Sequence, residues 1–151
     1  MKTLYFDIDG SILRGSRPKS ALAGGAFERA VRNAGFEELV CVSNVVATIQ
    51  FLESLGEAPD GLKIVFDVCR GTIQDEAWFR SVTSLVSDPR HRASHIDFAS
   101  DWWYLDDMAE WFMDQDGFEE LYEVHLGLRI FAPDETGDGS HVLDWLETVC
   151  M

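Results

Sequence analysis

Lysine is scarce in this chain of 151 residues: Lys2, Lys19 and Lys63 are the only three, and Lys and Arg together number 12 against 27 Asp and Glu. No Lys/Arg cluster interrupts the resulting formal charge of −15. A chain so charged repels phosphate backbones, which argues against nucleic acid as a direct partner. The excess acid reads as a solvated surface. Cysteine is also sparse. Cys41, Cys69 and Cys150 are odd in number, far apart and without C-x-x-C spacing, so neither a disulfide framework nor a zinc site is indicated, and a reducing compartment fits. No apolar run approaches the roughly 18 residues that a membrane span needs. The uncharged stretch Thr3 to Phe6 is far shorter than a signal-peptide core, so a cytoplasmic location is expected.

What the chain does hold is a core. Hydrophobic residues make up 46%, with 10 Phe and 5 Trp, and the length suits one domain, 1–151, with no repeat or linker to divide it. Short apolar runs alternate with helical patterns. Strands are expected at Thr3–Phe6, Leu39–Val42, Leu62–Phe66, Trp102–Leu105 and Leu128–Phe131. Helices are expected from Ser20 to Asn33, after Ser43 and Asn44, from Asp75 and Glu76 through Val86, from Met108 to about Val124 with a break at Gly117, and from His141 to Val149. Five strands each followed by a helix predict an α/β fold: a doubly wound, Rossmann-like, five-stranded parallel sheet with helices on both faces. Ligands in such sheets bind beyond the carboxyl ends of the strands.

Three strand ends carry polar groups: Asp7-Ile8-Asp9-Gly10-Ser11, Ser43-Asn44 and Asp106-Asp107. Carboxylates gathered on one sheet edge raise each other's pKa unless a cation neutralises them. A hard divalent ion with oxygen ligands, Mg²⁺ above all, is the natural neutraliser, with Asp7, Asp9, Asp106 and Asp107 as its candidate site.

This pattern resembles the haloacid dehalogenase superfamily. The first motif of that family, D-x-D-G-[TV], matches Asp7-Ile8-Asp9-Gly10-Ser11 with Ser for Thr; the second, an apolar strand ending in Ser or Thr, matches Val40-Cys41-Val42-Ser43; the fourth, an apolar strand ending in two acids, matches Trp103-Tyr104-Leu105-Asp106-Asp107. The resemblance spans nearly the whole chain and implies a Mg²⁺-dependent phosphatase acting on phosphate monoesters through an aspartyl-phosphate. Asp7 is the implied nucleophile and Asp9 the acid and base. Ser43, Asn44 and Gly10 are the implied phosphate-binding positions, and Mg²⁺ is held by Asp7, the Asp9 backbone carbonyl and Asp106. An acid at Asp9 favours phosphate ester hydrolysis over carbon–halogen cleavage, which needs no leaving-group acid. Little sequence is left for a cap, so a small phosphorylated substrate or a phosphopeptide is expected.

The family's third motif is a Lys or Arg between the second and fourth. Arg90 is the first candidate and Arg92 the second, with Arg70, Arg80 and Lys63 behind them. Two other readings stay open: a domain of this fold that binds metal, phosphate or a partner without turnover, and a phosphoacceptor receiver with Asp67 at the end of the third strand. Three further groups have ordinary readings. His91 and His95 at i, i+4 lack an acidic third ligand for zinc; Asp134, Asp138 and Gly139 lack the closing acid of a calcium loop; Trp102, Trp103, Trp111 and Phe112 read as core, with some free to line a pocket.

Overall fold

The computed structural model describes residues 1–150. β1 (Lys2–Phe6) is buried along Thr3 to Phe6, the mark of a strand covered on both faces. A two-stranded hairpin comes next, β2 (Leu13–Arg14) with β3 (Arg17–Pro18). The expected helix from Ser20 to Asn33 is split: Gly24 and Gly25 take φ of +63° and +75°, leaving a 3-10 turn at Ser20–Leu22 and α1 at Ala26–Asn33. β4 (Glu38–Cys41) and α2 (Val45–Ser54) complete this part of the chain.

The expected third strand, Leu62 to Phe66, is a helix: α3 spans Gly61–Val68, and Asp60 caps it by accepting a hydrogen bond from the Lys63 amide at 3.2 Å. Leu62, Val65, Phe66 and Cys69 fall at i, i+3, i+4 and i+7, and the last three are buried. That helical spacing outweighs the β-branched content of the run. The third strand comes later. α4 (Glu76–Val82) stops short of the helix expected through Val86, and β5 (Thr83–Leu85) takes the remainder as a three-residue edge strand.

A 3-10 segment, Pro89–His95, leads to β6 (Asp101–Leu105). α5 (Ala109–Gln115) and α6 (Glu119–His125) flank Gly117, which takes φ +84° at the expected break. β7 keeps only Ile130–Phe131 of the expected strand, and α7 is Ser140–Val149.

All five strands of the main sheet are parallel, in the order β5-β4-β1-β6-β7. Right-handed crossovers put α1 to α4 on one face, because β1, β4 and β5 step one way. They put α5 and α6 on the other, because β6 and β7 step the opposite way. α1 packs on α7, α2 and α4 each pack on α3, and α5 packs on α6 and the 3-10 segment. The register pairs Phe6 with Cys41 and Leu105, Cys41 with Leu85, and Leu105 with Phe131. Five strand ends therefore stand in one row, and the loops that leave them emerge on one edge of the sheet. Among the described residues no helix is long and apolar enough to cross a membrane.

Candidate active site

Strand order reverses between β1 and β6, the place where open α/β sheets bind ligands. Asp7 and Asp106 are the first residues past these two strands. Their amides extend the ladder, Asp7 N to Leu105 O at 2.9 Å and Asp106 N to Phe131 O at 3.1 Å, so the sheet itself places both carboxylates. Both side chains are buried.

Arg92 lies between them. Nη1 donates to Asp7 Oδ1 at 3.1 Å and to Asp106 Oδ2 at 2.9 Å, Nη2 donates to Asn44 Oδ1 at 3.0 Å, and Nε donates to Pro89 O at 2.9 Å. The Phe112 ring covers the guanidinium, 3.8 Å from its centre, and the residue is only 2% exposed. Arg90, the first candidate for this role, is elsewhere. Its side chain is 83% exposed, with Nε 3.7 Å from Asp88 Oδ1. Residues two apart on a 3-10 turn point about two thirds of a revolution apart, and a kink at His91 (φ −120°, ψ 43°) adds to this, so only one of the two arginines faces inward.

Arg70, Arg80 and Lys63 form exposed pairs with Asp67, Asp60 and Glu76 and do not line the cleft. Asp67 sits inside α3 rather than at a strand end, which removes the geometry a receiver domain requires.

Two hydroxyls complete the acidic group. Tyr104 donates to Asp106 Oδ2 at 2.7 Å, while Ser11 lies between Asp7 Oδ2 at 3.2 Å and Asp107 Oδ1 at 3.3 Å and accepts from the Asp107 amide at 3.0 Å. Asp106 Oδ1 accepts from the Met108 amide at 2.9 Å. Burial is the main cause that drives the Asp7 carboxyl well above the usual carboxylate range; the Asp106 charge adds to it and Arg92 opposes it. Burial likewise raises Asp106 against the pull of Arg92 and Tyr104. One arginine thus does not neutralise the group. Asp7, Asp106 and Asp107 each bring a carboxylate oxygen within 4.8 Å of the others, a hard-oxygen donor set that could hold a divalent cation. The Asp9 carboxylate does not join this convergence; it is exposed and lines the cleft.

The cleft outside these groups has a volume of about 640 Å³, within the range of small-molecule sites. Asp7, Asp9, Gly10, Ser43, Asn44 and Arg92 line it. Met108, Trp111 and Phe112 form one wall, and the β2–β3 hairpin with Glu135 and Thr136 forms the other. Trp111 is exposed there, whereas Trp102 is core.

Gly10 sits at φ +79°, and a Cβ built on it would come within 2.7 Å of Asp107 Cγ. Gly10→Ala is therefore expected to cost about 1–2 kcal/mol from the left-handed backbone alone and to push Asp107 aside. Urea unfolding checks this; an unchanged midpoint would show that the loop relaxes freely.

The ordinary readings of the remaining groups fit the geometry. His91 Nδ1 lies 3.0 Å from Asp116 Oδ1 and His95 Nδ1 3.5 Å from Ser87 Oγ, so the two rings serve different partners. Asp134 and Asp138 cap local turns by accepting from the Thr136 and Ser140 amides.

Sequence reasoning missed two side chains. Tyr104 read as a strand residue. Lys19 is buried, donates to Gly10 O and to Asp134 O at 2.7 Å each, and ties the loop after β1 to the far rim; its only signal was the rarity of lysine. No protein-family model, curated protein or solved structure matches the chain.

Proposed function

We propose that this protein is a magnesium-dependent phosphatase that hydrolyses phosphate monoesters through an aspartyl-phosphate on Asp7. The observation that carries the reading is the buried Asp7–Arg92–Asp106 bridge at the switch point, opening onto a cleft lined by Ser43 and Asn44. The three strand-end motifs that resemble the haloacid dehalogenase superfamily support it.

In this mechanism the Asp7 carboxylate attacks phosphorus; the new P–O bond forms as the bond to the leaving oxygen breaks, and Asp9 gives that oxygen its proton. Asp9 then takes a proton from water, whose oxygen attacks phosphorus and releases Asp7 and inorganic phosphate. The exposure of Asp9 suits it to exchange protons with leaving group and water alike. Ser43 donates to a phosphoryl oxygen. Asn44 is oriented by Arg92 through its Oδ1, which leaves its amide hydrogens free to donate in the same way. Arg92 offsets negative charge where nucleophile and phosphoryl group meet. Asp7, Asp106 and Asp107 would hold a Mg²⁺ ion, with the Asp9 carbonyl the further ligand the resemblance implies, and the bound ion would supply positive charge beside the phosphoryl group.

Phosphate release from a panel of phosphorylated sugars, nucleotides, small acids and a phosphopeptide tests the reading, with Mg²⁺ present and after chelation. Chelation is expected to abolish turnover, and unchanged activity would remove the metal from the mechanism. Asp9→Asn should slow turnover by roughly 10² to 10⁴-fold, the usual worth of a general acid, with Mg²⁺ binding retained.

A second reading, a domain that binds metal or phosphate without turnover, is favoured by one feature: Arg92 already engages Asp7 Oδ1. A melting temperature raised by Mg²⁺ in a protein that turns over nothing in the panel would decide for it.

A further inference from the structure

We infer that the Arg14-Gly15-Ser16-Arg17 hairpin recognises a second anionic group on the substrate, so that the substrates are phosphate esters carrying a carboxylate or a further phosphate. This rests on the phosphatase reading above and names the substrate class of that site.

β2 and β3 are joined by the two-residue turn Gly15-Ser16, and their register sets Arg14 directly opposite Arg17. Like charges directly opposite each other in an antiparallel pair destabilise it. Arg32, Arg70, Arg80, Arg90, Arg92 and Arg129 each have a carboxylate within 4.0 Å; among the described residues Arg14, Arg17 and Arg29 do not, and of these three only Arg14 and Arg17 face each other. In a chain with 27 acidic residues and a charge of −15, two facing arginines outside any ion pair leave a local cationic spot, with Asp134 near enough to feel the Arg14 charge but not in contact with it.

The Arg14 side of that spot faces the reaction cleft, with Arg17 behind it on the paired strand. Arg14, Gly15 and Ser16 line the cavity that also contains Asp7, Asp9 and Arg92. The rim is held in place: Arg14 Nη1 donates to Thr136 O at 3.1 Å, and Lys19 binds the loops on either side of it. Arg14 uses one N–H there and keeps the others for the two-point contact that guanidinium makes with carboxylate or phosphate. A fork fixed before binding loses little freedom when an anion arrives. It also supplies local attraction for an anionic substrate that the overall charge repels. Glu135 shares the rim without pairing to either arginine, which confines the second anion to the hairpin side.

The test compares substrates that differ by one charged group: glycerate 2-phosphate against glycerol 2-phosphate for a carboxylate, and a hexose bisphosphate against the corresponding monophosphate for a second phosphate. The protein is expected to prefer the more anionic member of at least one pair by about tenfold or more in kcat/KM, the scale of one hydrogen bond to a charged group, with the difference in KM. Which pair shows it identifies the source of the anion. Arg14→Ala should collapse that ratio towards one, and Arg17→Ala, which removes charge from the paired strand outside the cleft lining, should lower it less. Arg17→Glu gives Arg14 a cross-strand partner, so the ratio should fall further while the melting temperature holds or rises.

Calorimetric binding of inorganic pyrophosphate and of phosphate provides an arm independent of turnover. Pyrophosphate should bind more tightly, and Arg14→Ala should remove the difference. If no substrate turns over yet this binding difference is seen, the phosphatase reading fails and the hairpin site stands. A protein with no preference in either substrate pair and no pyrophosphate preference, or variants that keep the preference, would overturn the inference.

Discussion

Asp7→Asn is expected to bring phosphate release below detection while the protein stays folded. An amide has the shape of the carboxylate but is a far poorer nucleophile, so neither Asp9 nor the metal ligands can restore the covalent step. The fold should tolerate the change because Arg92 keeps Asp106, Asn44 and Pro89 O as acceptors. Stability at neutral pH should hold or rise. Asp7 has its carboxyl raised by burial and by Asp106, so the folded state binds more protons than the unfolded chain, whose aspartates titrate near about 4. Stability from this group is therefore full below that value and is lost as pH rises through the raised one. Asn has no such proton to lose, and the variant should show a shallower decline between mild acid and neutral pH. Urea unfolding at several pH values, paired with a phosphate-release assay, reads both effects. Full turnover by a normally melting Asp7→Asn would refute the covalent mechanism.

Arg92→Ala is expected to be the most destabilising single change in the site. It strips the only guanidinium from two buried carboxylates, and leaving a buried charge unpaired costs about 3–5 kcal/mol. The exposed face of Phe112 and the unpartnered Asn44 Oδ1 add to the loss. The cost should depend on pH with a definite sign. Without Arg92 the Asp7 and Asp106 carboxyls rise further, so the deficit relative to the parent is greatest at neutral pH and shrinks as pH falls below about 4, where both are protonated whether folded or not. Mg²⁺ affinity should change little or improve, since a competing charge is gone, while kcat/KM falls by about 10² or more, as for loss of one transition-state donor. Arg92→Lys keeps the charge without the four-point geometry and should recover part of the stability but less of the turnover. A deficit under about 1 kcal/mol at neutral pH, small against the usual cost of an unpaired buried charge, would mean the bridge is not what holds the acids.

The chain order of strands and helices was legible where local rules agreed. Thr3 to Phe6 and Trp102 to Leu105 are apolar runs closed by acids, and buried parallel strands read this way wherever they occur. The Gly117 break comes from turn chemistry; the helix start was legible from the cap types Ser43 and Asn44, although in the fold Ser43 Oγ accepts from the Val45 amide and Asn44 Oδ1 accepts from Arg92 instead of capping the helix. Leu62 to Phe66 misled because a short apolar run with β-branched residues satisfies both periods, and only the packing of Val65, Phe66 and Cys69 decided for a helix. Thr83–Leu85 was invisible for the converse reason: three residues show no period, and they became a strand because Cys41 offered an unpaired edge.

For the candidate site, the sequence alone brought Asp7, Asp9, Ser43, Asn44, Asp106 and Asp107 to one sheet edge, because residues that end parallel strands share an edge wherever the sheet forms. It put Arg90 ahead of Arg92, and the structure reverses that order. That choice belongs to the kinked 3-10 turn after Pro89 and to the Phe112 ring that closes over one guanidinium, contacts between segments far apart in the chain. The pairing of Ser11 with Asp107, of Tyr104 with Asp106 and of Lys19 with Gly10 and Asp134 was likewise decided by tertiary structure, since a hydrogen bond depends on where two side chains meet and a sequence states only what they are.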